Sequence, residues 1–261
     1  MADFDRPALV QFAQDSISRG SKSFRFASRL FDRITRERVW LLYAWCRKCD
    51  DMADGQDHGG AMAAVTDPQE SLAAIRTLTA KALAGIPTGE PAFDCLGVVA
   101  RECGITARMA EDVIEGFALD AADWHPRRES DLYQYCYHVA GAVGVMMAVV
   151  MGVPADDDAT LDRACDLGLA FQLANIARDI AEDDAAGRCY LPDDWLAMLD
   201  IAPGEHMKPH NRKKLALMGR WLADEAEQYE ASARVGAAHL PLRARWAVLS
   251  AAGIYGEIAR K

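Results

Sequence analysis

Two short acidic patterns have the residue types and spacing to hold a divalent cation. Each has the form D-x-x-x-D: Asp50 to Asp54 is DDMAD, and Asp179 to Asp183 is DIAED. Residues four apart on a helix share one face, with Cβ atoms about 5–6 Å apart. Carboxylate oxygens on a rigid helix suit Mg²⁺, which keeps several waters and completes its coordination with substrate phosphate oxygens. The two motifs therefore predict a metal site.

Other interpretations of the acidic pairs fit the sequence less well. A solvated charge stripe would run the length of a helix, whereas both pairs end long apolar segments, and Arg47 and Arg178 lie close by. A ferritin-like di-metal centre would need Glu-x-x-His pairs, and none of the six histidines has a glutamate three residues before it. The sequence also lacks G-x-G-x-x-G after a strand, so no nicotinamide cofactor is expected. Its Ser, Cys and His residues indicate neither a nucleophile elbow nor a triad.

The elements that must carry these motifs are predicted to be helices. Apolar residues recur at intervals of three and four, as at Val39, Leu42, Tyr43 and Cys46. We expect one all-α domain spanning residues 1–261, with turn-forming residues between the helices. The predicted helices are about 6–19, 35–54, 67–84, 91–119, 129–152, 158–185, 208–233 and 241–259.

Composition excludes several classes of function. Lysine and arginine total 29 against 39 acidic residues, and the resulting net charge of -10 opposes nucleic-acid binding. The N-terminus lacks a basic start and an apolar run, so a cytoplasmic location is expected, with the seven cysteines reduced. Cys46 and Cys49 form a lone C-x-x-C inside a helical run, which is weak support for zinc or redox chemistry.

The segment from Val139 to Val153 is almost entirely apolar, VAGAVGVMMAVVMGV. It is shorter than the ~20 residues needed to cross a bilayer, so it is predicted to be a buried central helix. Gly141, Ala142 and Gly144 would allow either neighbouring helices or a bulky apolar ligand to approach the backbone.

Several segments together resemble the squalene and phytoene synthase family over nearly the whole chain. They are GSKSF (20–24), LYAWCRKCDDMAD (42–54), EGFALD (115–120), YCYHVAGAVG (135–144) and LGLAFQLANIARDIAEDDAAGRCYLP (167–192). Within the family, the sequence is most similar to bacterial phytoene synthases. The resemblance implies an isoprenoid-synthase-type helical bundle around a central hydrophobic cavity. It also implies head-to-head condensation of two geranylgeranyl diphosphates through prephytoene diphosphate to phytoene, with release of diphosphate, in carotenoid biosynthesis.

The resemblance also implies roles for individual residues. Asp50, Asp54, Asn175, Asp179 and Asp183 would hold Mg²⁺, or Mn²⁺ in its place. Diphosphate and pocket contacts would come from Ser21, Lys22, Ser23, Arg47, Gln172, Arg178, Tyr190 and Tyr255. The four aspartates, Tyr135 and Arg178 would be catalytic. Simpler roles stay open: the serines could start a helix, the arginines could pair with surface carboxylates, Asn175 could be an exposed amide, and Gln172 and Tyr135 could be satisfied core groups.

Two alternative functions follow from the same residues. One is a dehydrosqualene or squalene synthase that uses farnesyl diphosphate, and the other is a noncatalytic helical protein that binds lipid or assembles with partners. For the main prediction we expect peripheral contact with the inner membrane face and contacts with other carotenoid-pathway enzymes. We further expect Met52 to Thr66 to close over bound diphosphate. The family pattern continues past Lys261 with a further helix and an arginine, so the domain is expected to be short at its C-terminus.

Overall fold

A computed structural model describes residues 4–21, 25, 27–54, 68–122 and 124–259, apart from the side chains at 54, 254, 255 and 257–259. The described residues form helices and turns and contain no strand, which confirms the all-α prediction. The helices are α1 (Arg6–Gly20), α2 (Arg33–Asp54), α3 (Pro68–Leu83), α4 (Pro91–Cys103), α5 (Ala107–Ala121), α6 (Glu129–Cys136), α7 (Ala142–Val150), α8 (Asp158–Ala185), α9 (Asp193–Met198), α10 (Arg212–Gly236) and α11 (Leu242–Ala259). Short 3₁₀ turns lie at Ser28–Leu30, Pro209–Asn211 and Ala237–His239.

The prediction of one helix over residues 91–119 is wrong, because the chain breaks between α4 and α5. Gly104 ends α4 in the left-handed region, at φ 81°, which glycine adopts without a Cβ penalty. Thr106 then caps α5, its side chain accepting a hydrogen bond from the Met109 amide at 3.3 Å. Both signals are local and are present in the sequence. The short helix α9 also lies outside the predicted helices.

The predicted helix at 129–152 is interrupted by a π-helical turn at Tyr137–Gly141, which separates α6 from α7. The Tyr137 hydroxyl donates to Asp112 Oδ2 at 2.8 Å, and His138 Nδ1 lies 2.8 Å from the Asp112 carbonyl oxygen. Single π turns of this kind are frequent at functional sites. Here the turn changes the register between the Tyr135 face of α6 and the apolar face of α7.

The central element is α8, which packs most extensively against α10 and also contacts α6, α7, the π turn and α11. The Asp157 side chain caps its start, accepting from the Thr160 amide at 3.2 Å. A Cβ at Gly144 would collide with the Ala164 carbonyl, and one at Gly168 with the Ala140 carbonyl. The glycines of the apolar segment therefore allow α7 and α8 to touch backbone to backbone, as small residues do at close helix crossings.

The helices bury two apolar clusters. One, with Trp45 and Phe93 at 0% exposure, lies among α1, α2, α4 and α7, and the other gathers around α6, α8 and α10. An ion-pair network ties α1 to α2 and α4, with Arg6 bound to Glu37 at 2.7 Å and to Glu102 at 2.5 Å. No helix among the described residues is long and apolar enough to span a bilayer.

Candidate active site

An apolar cavity of about 450 Å³ runs beside α8 and adjoins a second cavity of about 290 Å³. We call them the larger and the smaller lobe. Tyr43, Cys46, Val139 and Val143 line both lobes and so form their common wall. Volumes of this size suit a substrate-sized ligand, and the predicted hydrophobic cavity is present.

One wall of the larger lobe comes from the segment that the sequence marked as apolar, and another comes from α8. Val143, Gly144 and Met147 line it from α7, and Leu167, Gly168 and Phe171 line it from α8. The apolar segment at 139–153 is therefore both part of the core and the wall of a cavity, which accounts for its mixture of small and large apolar residues.

The first acidic motif lies at the smaller lobe. Asp50 lines that lobe together with Arg47, whose guanidinium Nη1 lies 2.9 Å from Asp50 Oδ2. The Nη2 of Arg47 donates to buried Asp51 at 2.6 Å. Arg47 is therefore shared between two carboxylates, as the simpler interpretation allowed, while still facing the cavity. Asp54 ends α2, and its side chain lies outside the described residues.

The second acidic motif lies near the end of α8. Arg178 donates two hydrogen bonds to the Asp179 carboxylate, from Nε at 2.6 Å and from Nη2 at 2.5 Å. Burial raises the pKa of Asp183 above its ordinary value, and the negative charge of Asp179 raises it further. A raised carboxyl pKa means that the ionised form of Asp183 is destabilised in the folded protein. A nearby cation would stabilise that form.

Three stacked aromatic rings lie between the smaller lobe, which contains Asp50, and the pocket that contains Asp183. Tyr135 stacks between Trp124, with ring centroids 5.1 Å apart, and Tyr190, with centroids 5.0 Å apart. The Tyr135 hydroxyl donates to Asp120 Oδ1 at 2.9 Å, and both residues line the smaller lobe with Asp50. On the other side, Tyr190 shares a small pocket with Asp183. Burial raises the pKa of Tyr135, so its phenol is protonated and acts as a donor.

The other predicted site residues divide into two groups. Gln172 and Asn175 line the larger lobe and are half-buried, so Asn175 is not an exposed amide. Ser21 ends α1, its amide donating to the Ile17 carbonyl at 3.0 Å, and its own carbonyl oxygen accepts from the Arg25 amide at 3.0 Å, which is the bonding pattern of a residue that also starts a helical turn. The remaining predictions cannot be placed in the site: Lys22, Ser23, the Tyr255 side chain and most of the segment from Met52 to Thr66 lie outside the described residues.

Asp120 is a candidate that the sequence did not single out. It lies in the last turn of α5, inside the EGFALD segment that carries part of the family resemblance. It has no aspartate four residues away, so the D-x-x-x-D spacing that marked Asp50 and Asp183 does not reveal it. Its contact with Tyr135 joins residues fifteen apart on different helices, and spacing alone does not predict such a contact.

The donor chemistry of the site fits a magnesium ion that is shared with a ligand. Within the described residues, no three His, Cys, Asp or Glu side chains converge to hold a metal by themselves. Asp50, Asp179, Asp183 and Asn175 nevertheless offer hard oxygen donors, and Mg²⁺ is commonly bound through one or two carboxylates plus substrate phosphates. Neither α2 nor α8 has a basic residue in its last turn, so the negative helix ends add to the attraction for a cation.

An all-helical bundle with apolar lobes flanked by aspartate motifs is the architecture of an isoprenoid synthase. A solved structure described as a dehydrosqualene synthase in complex with ligand is similar to this one, with a TM-score of 0.83 and 28% sequence identity. The similarity covers 97% of this chain and 85% of that chain.

The squalene/phytoene synthase family matches residues 17–261. A phytoene synthase of Pseudescherichia vulneris is 47% identical over 258 residues, which are 98% of this chain and 83% of that protein. A 15-cis-phytoene synthase of Pantoea ananas is 47% identical over 259 residues, with the same two shares. The chain belongs to the squalene/phytoene synthase family, and it is a prenyltransferase of the phytoene synthase type. The family acts on prenyl diphosphates and uses divalent metal ions.

The contact between Tyr135 and Asp120 can be tested with a matched pair of variants. Tyr135→Phe keeps the aromatic stack and removes the hydroxyl, which donates to Asp120 and also hydrogen-bonds Tyr190, so we expect kcat to fall at least about tenfold, the equivalent of one lost hydrogen bond to a charged group. The control is Tyr133→Phe, because the Tyr133 hydroxyl bonds exposed Glu129 at 3.1 Å and lies outside both lobes. The measurement is steady-state kinetics. If both variants have the kcat of the parent enzyme, the Tyr135 hydroxyl has no role in catalysis.

Proposed function

We propose that this enzyme condenses two geranylgeranyl diphosphates head to head, through prephytoene diphosphate, to phytoene. The observation that carries the proposal is the pair of apolar lobes that meet at one wall, with Asp50 lining the smaller lobe and Asn175, one helical turn before Asp179, lining the larger lobe. Two prenyl chains lying in separate lobes would bring their diphosphate-bearing ends together at Tyr43 and Cys46. The reaction needs that arrangement, because the new bond forms between the head ends of the two chains.

The polar residues of the site would bind and orient the two diphosphates. Arg47 and Arg178 present planar guanidinium groups that match phosphate oxygens, and each is already aligned by a carboxylate of its own motif. Asn175 would contribute an amide oxygen from the wall of the larger lobe. Magnesium held by Asp50, Asp54, Asn175, Asp179 and Asp183 would neutralise the charge that develops on the departing diphosphate.

The chemistry begins when the allylic C–O bond of the first substrate breaks and diphosphate leaves with the electron pair. The double bond of the second substrate attacks the resulting cation and, after loss of a proton, a cyclopropane closes to give prephytoene diphosphate. A second ionisation releases the other diphosphate, the cyclopropyl cation rearranges, and loss of a further proton gives phytoene. No step requires a reductant, whereas squalene formation requires hydride.

The walls around the reacting carbons must exclude water and nucleophiles. Val139 and Val143 supply apolar surface to both lobes. Cys46 lies on the same wall. Burial raises the pKa of Cys46 to about 12, so this wall presents a neutral thiol rather than an anionic thiolate.

Peripheral attachment to the inner membrane face is part of the proposal. Phytoene is a pure hydrocarbon and needs an apolar acceptor, and lipid is the simplest one. Sedimentation with liposomes tests this, and a protein that stays in the supernatant with every lipid composition would need a different acceptor.

Product identity tests the proposed function directly. Purified protein is incubated with Mg²⁺ and either geranylgeranyl or farnesyl diphosphate, with and without NADPH, and the hydrocarbon is identified by mass. We expect phytoene from geranylgeranyl diphosphate, unchanged by NADPH, abolished by EDTA and restored by Mg²⁺. Dehydrosqualene or squalene as the main product would instead assign the farnesyl-using activity. No hydrocarbon from either substrate would favour a noncatalytic protein.

A further inference from the structure

The larger lobe has one end near the acidic motifs and one end far from them. Asn175 marks the near end, and Arg163 lies twelve residues earlier on the same helix. At 1.5 Å per residue, twelve residues of α8 span about 18 Å. The far end is formed where helices begin or end, with Met151 after α7, Thr160 and Arg163 at the start of α8, and Ala237 after α10.

Among the described residues that line this lobe, Arg163 is the one with a charged side chain. Its stem lies directly on the backbone of α10, because a Cβ built at Gly236 would be 2.6 Å from Arg163 Cβ and 3.1 Å from its Cδ. The absence of a side chain at Gly236 leaves room for the aliphatic part of the Arg163 side chain. Arg163 therefore fills the space between the ends of α8 and α10.

The guanidinium of Arg163 is tied to α10 by hydrogen bonds. Nη1 lies 3.3 Å from the Ser232 carbonyl oxygen and 3.2 Å from Ser232 Oγ. Ser232 Oγ in turn donates to Asp166 Oδ2 at 2.5 Å, which returns the network to α8. Displacing the guanidinium into the apolar lobe would break these bonds without replacement, which is costly for a charged group. An untethered apolar side chain such as methionine would adapt more readily.

We propose that Arg163 is an end stop that limits the length of the prenyl chain in the larger lobe. The proposal rests on the proposed function, which places one chain in each lobe. The last isoprene unit of a geranylgeranyl chain lies against the Arg163 stem, and a chain one unit longer meets the tethered side chain. Arg163 does not line the smaller lobe, so it restricts only one of the two substrates.

This asymmetry gives a distinctive product pattern. With Arg163→Ala, the larger lobe accepts a C25 geranylfarnesyl chain while the smaller lobe still holds a C20 chain. The product of the mixed reaction is then a C45 hydrocarbon, formed with loss of two diphosphates as in the natural reaction. A C50 hydrocarbon from two C25 chains stays absent.

The experiment supplies geranylgeranyl and geranylfarnesyl diphosphates together with Mg²⁺ and measures C40, C45 and C50 hydrocarbons by mass. We expect the C45 to C40 ratio of Arg163→Ala to exceed that of the parent enzyme at least about tenfold, since a single methylene already discriminates by that factor in a tight pocket. The control is Arg234→Ala, which removes an arginine of α10 that pairs with Glu230 at 2.5 Å and does not line the lobe. Its ratio should match the parent.

An unchanged C45 to C40 ratio in an active Arg163→Ala enzyme overturns the end stop, and so does a C50 product as abundant as C45. If Arg163→Ala does not fold, Ala237→Leu tests the end stop instead, because the larger side chain narrows the far end of the larger lobe. It should lower kcat/KM for geranylgeranyl relative to farnesyl diphosphate, and an unchanged preference overturns the proposal. The parent enzyme with geranylgeranyl diphosphate alone separates these failures from failure of the proposed function, because it forms C40 hydrocarbon only if that function holds.

Discussion

The structure depends on negative charge that two helices concentrate at their carboxyl ends. The motif at 50–54 ends α2, the motif at 179–183 lies in the last two turns of α8, and neither helix has a basic residue in its last turn. Burial raises the pKa of Asp183, and the negative charge of Asp179 raises it further. The helix dipoles add to the repulsion among the carboxylates. Arg47 and Arg178 offset part of this charge. The arrangement makes the folded protein receptive to a cation that arrives with an anionic ligand.

The charged end is useful because it adjoins an apolar space. Electrostatic stabilisation of a leaving diphosphate is stronger where water is excluded. The two lobes provide apolar surroundings beside Asp50, which lines the smaller lobe, and Asn175, which lines the larger lobe. The close contact of α7 and α8 through Gly144 and Gly168 closes one side of the larger lobe with backbone. Packing and the shape of the larger lobe are therefore set by the same pair of helices.

The features that could be predicted from sequence were those encoded locally. The D-x-x-x-D spacing, the apolar periodicity and the stretch at 139–153 each identify a helix and the face that it buries. The break at Gly104 was encoded equally locally and was overlooked. The π turn was not predictable, because Tyr137 and His138 are held there by Asp112 on another helix. The contact of Tyr135 with Asp120 and the tether of Arg163 to Ser232 likewise depend on how helices meet in space.

We propose that the acidic motifs bind metal jointly with diphosphate rather than alone. Titration calorimetry of Mg²⁺ with and without a non-hydrolysable geranylgeranyl thiodiphosphate measures this directly. We expect the analogue to tighten Mg²⁺ binding by at least about tenfold, with a reciprocal gain in affinity for the analogue. Asp50→Asn or Asp179→Asn should abolish the coupling, whereas Asp156→Asn, an exposed position outside the lobes, should not. Equal Mg²⁺ affinity with and without the analogue, or full coupling in both motif variants, would contradict it.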